Sequence, residues 1–142
     1  MKKMLFIMNP FAGVKRANRH LADILLTFPQ AGYEVITHMT LGQGDATAVA
    51  REKGRNVDLV VCCGGDGTLN EAVAGAAGFG NAAVTHYPMG SGNDFLRMFG
   101  PDACRFYDLR ALLDAPQAPV DLIECNGRLA LNVCSVGFDA RI

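Results

Sequence analysis

Two periodicities take turns along the chain. Met4 to Met8 is an unbroken apolar run, the mark of a strand covered on both faces. Asn9-Pro10-Phe11-Ala12-Gly13 breaks it. From about Lys15 to Phe28 the apolar residues Leu21, Ile24, Leu25 and Phe28 recur at i, i+3, i+4 and i+7, which predicts an amphipathic helix. Pro29 and Gly32 punctuate its exit. Tyr33 to Met39 then alternates, with Val35, Thr37 and Met39 on one face, as expected of a strand nearer the sheet edge. Thr40 to Gly44 reads as a loop. Asp45 is an N-cap candidate for a helix through Lys53, with a thin stripe of Ala46, Val49 and Ala50. Gly54 suits the closing position.

The stretch that organises the chain comes next. Leu59-Val60-Val61-Cys62-Cys63 runs straight into Gly64-Gly65-Asp66-Gly67-Thr68-Leu69-Asn70-Glu71. A buried parallel strand, a tight turn and a helix start follow from this pattern. Thr68 with Glu71 three residues on predicts a capping box. The helix carries Leu69, Ala72, Val73 and Ala76, and its small residues imply close packing on the sheet. Ala82 to Tyr87 reads as a fourth strand. A second glycine loop, Pro88-Met89-Gly90-Ser91-Gly92-Asn93-Asp94-Phe95, leads to a short helix ending by Gly100-Pro101 and another from about Cys104 to Asp114. Beyond Pro116 and Pro119 the alternation stops. Val120 to Cys125 and Leu129 to Val136 flank Asn126-Gly127-Arg128, a hairpin signal. A domain boundary near residue 118 follows, with residues 1–118 as an α/β domain and 119–142 as the start of a β-rich one.

Strand–helix alternation implies an open, mostly parallel sheet with flanking helices and right-handed crossovers. Ligands of such sheets sit beyond the carboxyl ends of the strands, at the switch point. Asn9–Gly13, Thr40–Gly44, Gly64–Thr68 and Pro88–Asp94 are all strand-exit loops, so topology alone gathers them on one edge. Glycine-rich turns feeding helix starts offer free N–H groups and the positive end of a dipole, which suits phosphate. Lys15 and Arg16 follow the first loop. Asp66 and Asp94 are the carboxylates of that edge, able to orient a hydroxyl or help hold a magnesium ion that bridges phosphates. No G-x-x-x-x-G-K-[ST] occurs, and Asn70 stands where the dinucleotide fingerprint wants its third glycine.

Composition narrows the partners. With 142 residues and half of them hydrophobic, the chain can bury a sizeable core, and its net charge of -1 argues against nucleic acid. Five cysteines occur without a C-x-x-C pair. Cys62, Cys63 and Cys134 fall in apolar runs and read as small buried hydrophobes of a reducing, cytoplasmic compartment. His20, His38 and His86 are scattered and read as core or surface residues. No stretch could span a membrane.

Taken together, Asn9-Pro10-x-Ala12-Gly13, Gly64-Gly65-Asp66-Gly67-Thr68-x-Asn70-Glu71 and Pro88-x-Gly90-Ser91-Gly92-Asn93-Asp94-Phe95 resemble the diacylglycerol kinase catalytic domain family, which includes soluble bacterial lipid kinases and sphingosine kinases. Asn132-x-x-x-x-Gly137-Phe138-Asp139-Ala140 is similar to the motif that opens the family's second domain. The resemblance covers nearly the whole chain. It implies ATP as phosphoryl donor, Mg2+ as cofactor and a lipid hydroxyl, met at a membrane surface, as acceptor. By the same resemblance Asn9, Thr40, the segment Gly65 to Glu71 (Asp66, Gly67, Thr68, Leu69 and Asn70 within it) and Ser91 contact the nucleotide. Gly64, Gly90 and Asn93 lie in the same glycine loops, and Lys15 and Arg16, after the first turn, are placed beside them by position, at least one of them toward phosphate. Asp66 acts near the phosphates and Asp94 braces the third loop.

Members of that family are about twice this length, and their second, β-rich domain carries the lipid cleft and the general base. The resemblance therefore puts the general base beyond Ile142, the last residue. The chain reads as the N-terminal portion of a longer enzyme, with the transfer step beyond its own reach. An NAD kinase-like enzyme and a non-catalytic adenine-nucleotide module are the competing readings. The uncharged run Leu129 to Val136 predicts that residues 120–136 either self-associate, because open strand edges template further pairing, or stay poorly ordered.

Overall fold

The computed structural model describes residues 1–13, 17–78 and 80–132. Its elements are β1 (Lys2–Met8), α1 (Ala17–Gln30), β2 (Tyr33–Met39), α2 (Asp45–Lys53), β3 (Leu59–Gly64), α3 (Asp66–Ala76), β4 (Ala83–Pro88), α4 (Leu109–Asp114), β5 (Ile123–Cys125) and β6 (Arg128–Ala130). Short 3-10 segments cover Gly54–Asn56 and Asp94–Tyr107. The four long strands are all parallel, in the order β2-β1-β3-β4. The expected open parallel sheet with flanking helices is what forms, with β2 on the edge as its alternation predicts.

Period-two geometry sorts the central strands between two cores. Met4, Phe6 and Met8 of β1 and Val61 and Cys63 of β3 face α1 and α4, where Ile24, Phe28 and Leu112 cover them. Leu5, Ile7, Val60 and Cys62 face α2 and α3, meeting Val49, Ala50, Leu69 and Ala72. Strands buried on both faces read as continuous apolar runs, which is why Met4–Met8 and Leu59–Cys63 carry no alternation. β1 feeds α1 on one face, and β3 feeds α3 on the other. The strand order therefore reverses between β1 and β3, and the crevice lies at their carboxyl ends.

Several local expectations are corrected. The small residues of α3 pack on α2 as well as on the sheet: Ala72 meets the central strands, and a Cβ on Gly75 would stand 2.8 Å from that of Ala50. Leu25, placed on the buried stripe of α1, is 38% exposed, so the stripe is narrower than its spacing suggests. Asp45 does not cap α2 from outside; it is the first helical residue, behind a left-handed Gly44. Its carboxylate reaches back to accept the Leu41 N–H at 2.8 Å and meets His38 Nε2 at 3.1 Å, contacts that hold its pKa below the ordinary value near 3.8. Gly54 closes α2 in the right-handed region, at φ -59°, because the chain continues into a 3-10 turn. The helix expected over 104–114 is split at Asp108. That residue is extended, and its side chain accepts the N–H groups of Arg110 and Ala111, so α4 starts only there.

The hairpin forms a separate two-stranded sheet, with Cys125 opposite Arg128. Asn126 and Gly127 alone make its turn, both left-handed at φ 50° and 75°, the geometry an Asn-Gly turn favours. Arg128 therefore belongs to β6 rather than to the turn. The expected strand beyond residue 132, Cys134, the Gly137–Ala140 motif and the terminal Ile142 lie outside the described residues, as do Lys15 and Arg16.

Candidate functional site

Three of the four exit loops leave their strand through a bond to a neighbouring strand. The Asn9 N–H donates to Cys63 O at 2.9 Å, the Thr40 N–H to Met8 O at 2.8 Å, and the Met89 N–H to Gly64 O at 2.9 Å. These bonds carry the ladder one residue past the strand ends, so the loops begin level with one another. Between them opens a cleft of about 620 Å³, lined by Asn9–Gly13 without Pro10, by Thr40, Gly42 and Gln43, by Gly65–Thr68, Glu71 and Gly90–Gly92. That volume suits a nucleotide-sized ligand.

The N-terminus of α3 forms the floor. The helix opens at Asp66 behind an extended Gly65, and no side chain caps it. The expected capping box is absent, because Thr68 and Glu71 are already inside the helix. Thr68 Oγ1 instead accepts from Asn9 Nδ2 at 3.1 Å, bridging β1 to α3 across the switch point. Glu71 Oε1 accepts the Gly44 N–H at 2.8 Å and ties α3 to the loop before α2. The first intrahelical bond runs from the Leu69 N–H to Gly65 O. The N–H groups of Asp66, Gly67 and Thr68 thus have no intrahelical acceptor and stand at the positive end of the dipole.

The glycines of this turn serve close approach rather than a left-handed backbone, since none of Gly64, Gly65 and Gly67 has positive φ. A Cβ on Gly64 would lie 2.8 Å from the Thr68 Cβ. A Cβ on Gly90 would lie 2.6 Å from the Gly65 Cα, so the two glycine loops touch backbone to backbone. Asn93, left-handed at φ 51°, closes the second loop on itself: its Oδ1 accepts from Gly90 N–H at 3.1 Å and its Nδ2 donates to Gly90 O at 2.8 Å. The Asp94 N–H donates to Asp66 Oδ1 at 2.7 Å, while the Asp94 carboxylate turns outward to an exposed Arg97 at 3.2 Å.

Beneath the loop, the imidazole of His86 is fully buried, with Nε2 2.8 Å from Gly64 O. Its Nδ1 has no partner among the described residues, and burial lowers its pKa despite the Gly64 carbonyl and the charge of Asp66. The ring is therefore neutral near pH 7, with the proton on Nε2 donated to Gly64 O. Burial also pushes the Cys63 thiol up to about 12 and raises Cys62 further, so both are inert packing groups.

Magnesium is tested by the donor set. Asp66 and Glu71 are the carboxylates of the cleft. No cluster of three or more acidic, His or Cys side chains able to cage a metal occurs among the described residues. One or two carboxylates with open water positions fit a Mg2+ that also binds phosphate oxygens.

The sequence profile of the diacylglycerol kinase catalytic domain matches residues 3–125. The chain belongs to this family. It is 38% identical to the diacylglycerol kinase of Bacillus subtilis (strain 168), an alignment covering 96% of this chain and 46% of that protein. It is 35% identical to that of Staphylococcus haemolyticus (strain JCSC1435), over 92% of this chain and 40% of the relative. A diacylglycerol kinase structure from Bacillus anthracis str. Sterne superposes with a TM-score of 0.73 at 31% identity, over 90% of this chain and 45% of that one. The chain thus spans a little under half the length of these relatives.

Within this diacylglycerol kinase-type domain the candidate residues divide. Asn9, Thr40, Gly65, Asp66, Gly67, Thr68, Glu71, Gly90 and Ser91 line the cleft together. Gly64, Leu69, Asn70, Asn93 and Asp94 are not in its lining. Gly64 is buried, its carbonyl taken by Met89 and His86. Leu69 is core, at 2% exposure. Asn93 and Asp94 brace the second loop, Asp94 through its backbone as well as its place in the turn. Asn70 faces the hairpin. Asp66 stands in the cleft, whereas the general base expected beyond Ile142 falls outside the described residues. Six lining residues are not among the candidates the sequence offers: Phe11, Ala12, Gly13, Gly42, Gln43 and Gly92. Phe11 is 80% exposed at the rim of the cleft, and an aromatic side chain in a polar loop was the signal for it.

Proposed function

We propose that this cleft binds ATP with Mg2+, and that the chain is the ATP-binding part of a lipid kinase that transfers the γ-phosphate to a lipid hydroxyl such as that of diacylglycerol. One observation carries the reading: an uncapped helix N-terminus, framed by two touching glycine loops, opens into a nucleotide-sized cleft at the sheet's switch point. Family membership and the names of the relatives support the lipid acceptor. The N–H groups of residues 66–68 would hold a phosphate. Asp66, positioned by the Asp94 N–H, would hold the magnesium ion with Glu71 near it. The ion, when bound, neutralises charge on the phosphate oxygens. Lys15 and Arg16, which follow the first loop in sequence, would add positive charge beside the two carboxylates.

We place the division of labour near residue 118, with residues 1–118 binding nucleotide and 119–142 belonging to a β-rich lipid-binding part, acting at a cytoplasmic membrane surface. With the general base placed beyond Ile142, the 142 residues alone are expected to bind ATP without phosphorylating lipid. Among the described residues no helix is long and apolar enough to cross a membrane. The test is calorimetric titration of ATP with Mg2+ into the chain and into Asp66→Ala, alongside transfer of labelled phosphate to diacylglycerol vesicles and to NAD. Saturable binding weakened in Asp66→Ala is expected. No binding, or transfer to NAD, would overturn the reading.

A further inference from the structure

Asn70 lies one helical turn after Asp66 on α3, and it does not line the cleft. Its side-chain amide is spent on the hairpin. Oδ1 accepts the Leu131 N–H at 2.8 Å, and Nδ2 donates to Leu129 O at a long 3.5 Å. The register of β5 and β6 explains why those two backbone groups are free. A two-residue turn makes Cys125 and Arg128 a hydrogen-bonded pair, and Ile123 with Ala130 the next. Leu129 and Leu131 then point their N–H and C=O groups away from β5, along the open edge of β6. A C=O at one residue and an N–H two residues on are what a parallel neighbouring strand would engage. The Asn70 amide, engaging one N–H and its oxygen, takes the place of one residue of such a strand. The Leu131 side chain packs beside it on the core beneath α3.

We propose that Asn70 is a positioning residue rather than a nucleotide ligand: it docks the β5–β6 hairpin onto the helix whose N-terminus forms the cleft floor. This rests on the proposed function for its meaning, since it makes one rigid helix carry both the phosphate-holding N–H groups and the hairpin that leads to the acceptor side. Asp66 and Asn70 are four residues apart, so they share a helix face, and the hairpin's distance from Asp66 is set by a single turn of helix.

The test separates the two bonds. Asn70→Ala removes both, and α3 is not weakened, because alanine is the better helix former. Asn70→Asp keeps an acceptor for the Leu131 N–H but presents a second acceptor to Leu129 O. Amide exchange of the 142-residue chain, followed by NMR without nucleotide, is read beside ATP affinity. In Asn70→Ala the Leu131 amide should exchange about ten-fold faster. ATP affinity should stay within about two-fold, a shift well short of a lost ligand contact. In Asn70→Asp the Leu131 amide should keep part of its protection. Unchanged Leu131 exchange in Asn70→Ala overturns the assignment, as does an ATP affinity that falls about ten-fold with the hairpin still protected. A wild-type chain that fails to bind ATP would sink the proposed function, while the exchange comparison would still decide the role of Asn70.

Discussion

Gly65 and Gly90 meet without side chains between them: a Cβ on Gly90 would stand 2.6 Å from the Gly65 Cα and 3.1 Å from Asn93 Oδ1. Neither neighbour can yield cheaply. One is backbone, and the other is held by its bonds to Gly90. Gly90→Ala should therefore part the two loops, at a cost of ~1–3 kcal/mol, and weaken ATP binding as the cleft opens. Gly67 provides the contrast, since a Cβ there meets nothing within 4 Å. Gly67→Val should melt close to wild type yet lose ATP by blocking close approach to the floor. Thermal melts and calorimetry on both variants check the pair.

His86 predicts a pH dependence of stability. Burial lowers its folded pKa from the usual 6.5, so below pH 6.5 the unfolded chain takes up a proton that the folded chain refuses. More protons bound in the unfolded state means that stability falls as pH falls, by up to about 1.4 kcal/mol per pH unit, until the folded pKa is reached. The contribution is fully retained above pH 6.5. In His86→Gln this slope should flatten, while the donor to Gly64 O is partly replaced. Denaturant melts of both proteins from pH 7.5 downward decide it; equal slopes would show that His86 is not the group.

Much of this was legible in the chain itself. Unbroken apolar runs at Met4–Met8 and Leu59–Cys63 announced doubly covered strands, and topology then put their exit loops on one edge. Local signals misled where tertiary contacts took over. Thr68 and Glu71 fit a capping box in sequence, but with only Gly65 between strand and helix both fall inside the helix, and both side chains are claimed by other loops. Asn70 stands inside the glycine-rich motif yet does not line the cleft: one turn further along the same helix face as Asp66, its amide is taken by the hairpin. Its partner lies 61 residues downstream, which no local pattern shows.

Phe11 is the rim aromatic of the cleft. Its N–H is held by Asn9 Oδ1 at 2.9 Å, which fixes the turn that presents it. If the cleft holds ATP as proposed, an exposed ring at its rim suits stacking on the base. Phe11→Ala should weaken ATP about ten-fold, in line with ~1–3 kcal/mol per stacked base. It should leave inorganic triphosphate, which has no base, unaffected. Competition titrations with both ligands would expose an equal loss for the two as evidence against stacking.

The hairpin bears on self-association. Asn70 occupies the outer edge of β6, which among the described residues leaves the edge of β5 open to another chain, and Ile123 on it is 44% exposed. Residues 120–136 should therefore support concentration-dependent association, and Ile123→Lys should reduce it, since a charge on an edge strand discourages pairing. Sedimentation equilibrium over a concentration series checks this. A chain that stays monomeric throughout removes the idea.

Magnesium should be required for tight binding, because the lining carries Asp66 and Glu71 against an anionic ligand. The most direct measurement is an NMR titration of the isotope-labelled chain with ATP, first in EDTA and then with Mg2+. Saturable shifts should be largest at the amides of Asp66, Gly67 and Thr68, with smaller ones at Gly90–Gly92, and they should tighten when Mg2+ is added. Shifts that fail to saturate, or that centre away from the N-terminus of α3, would contradict the account.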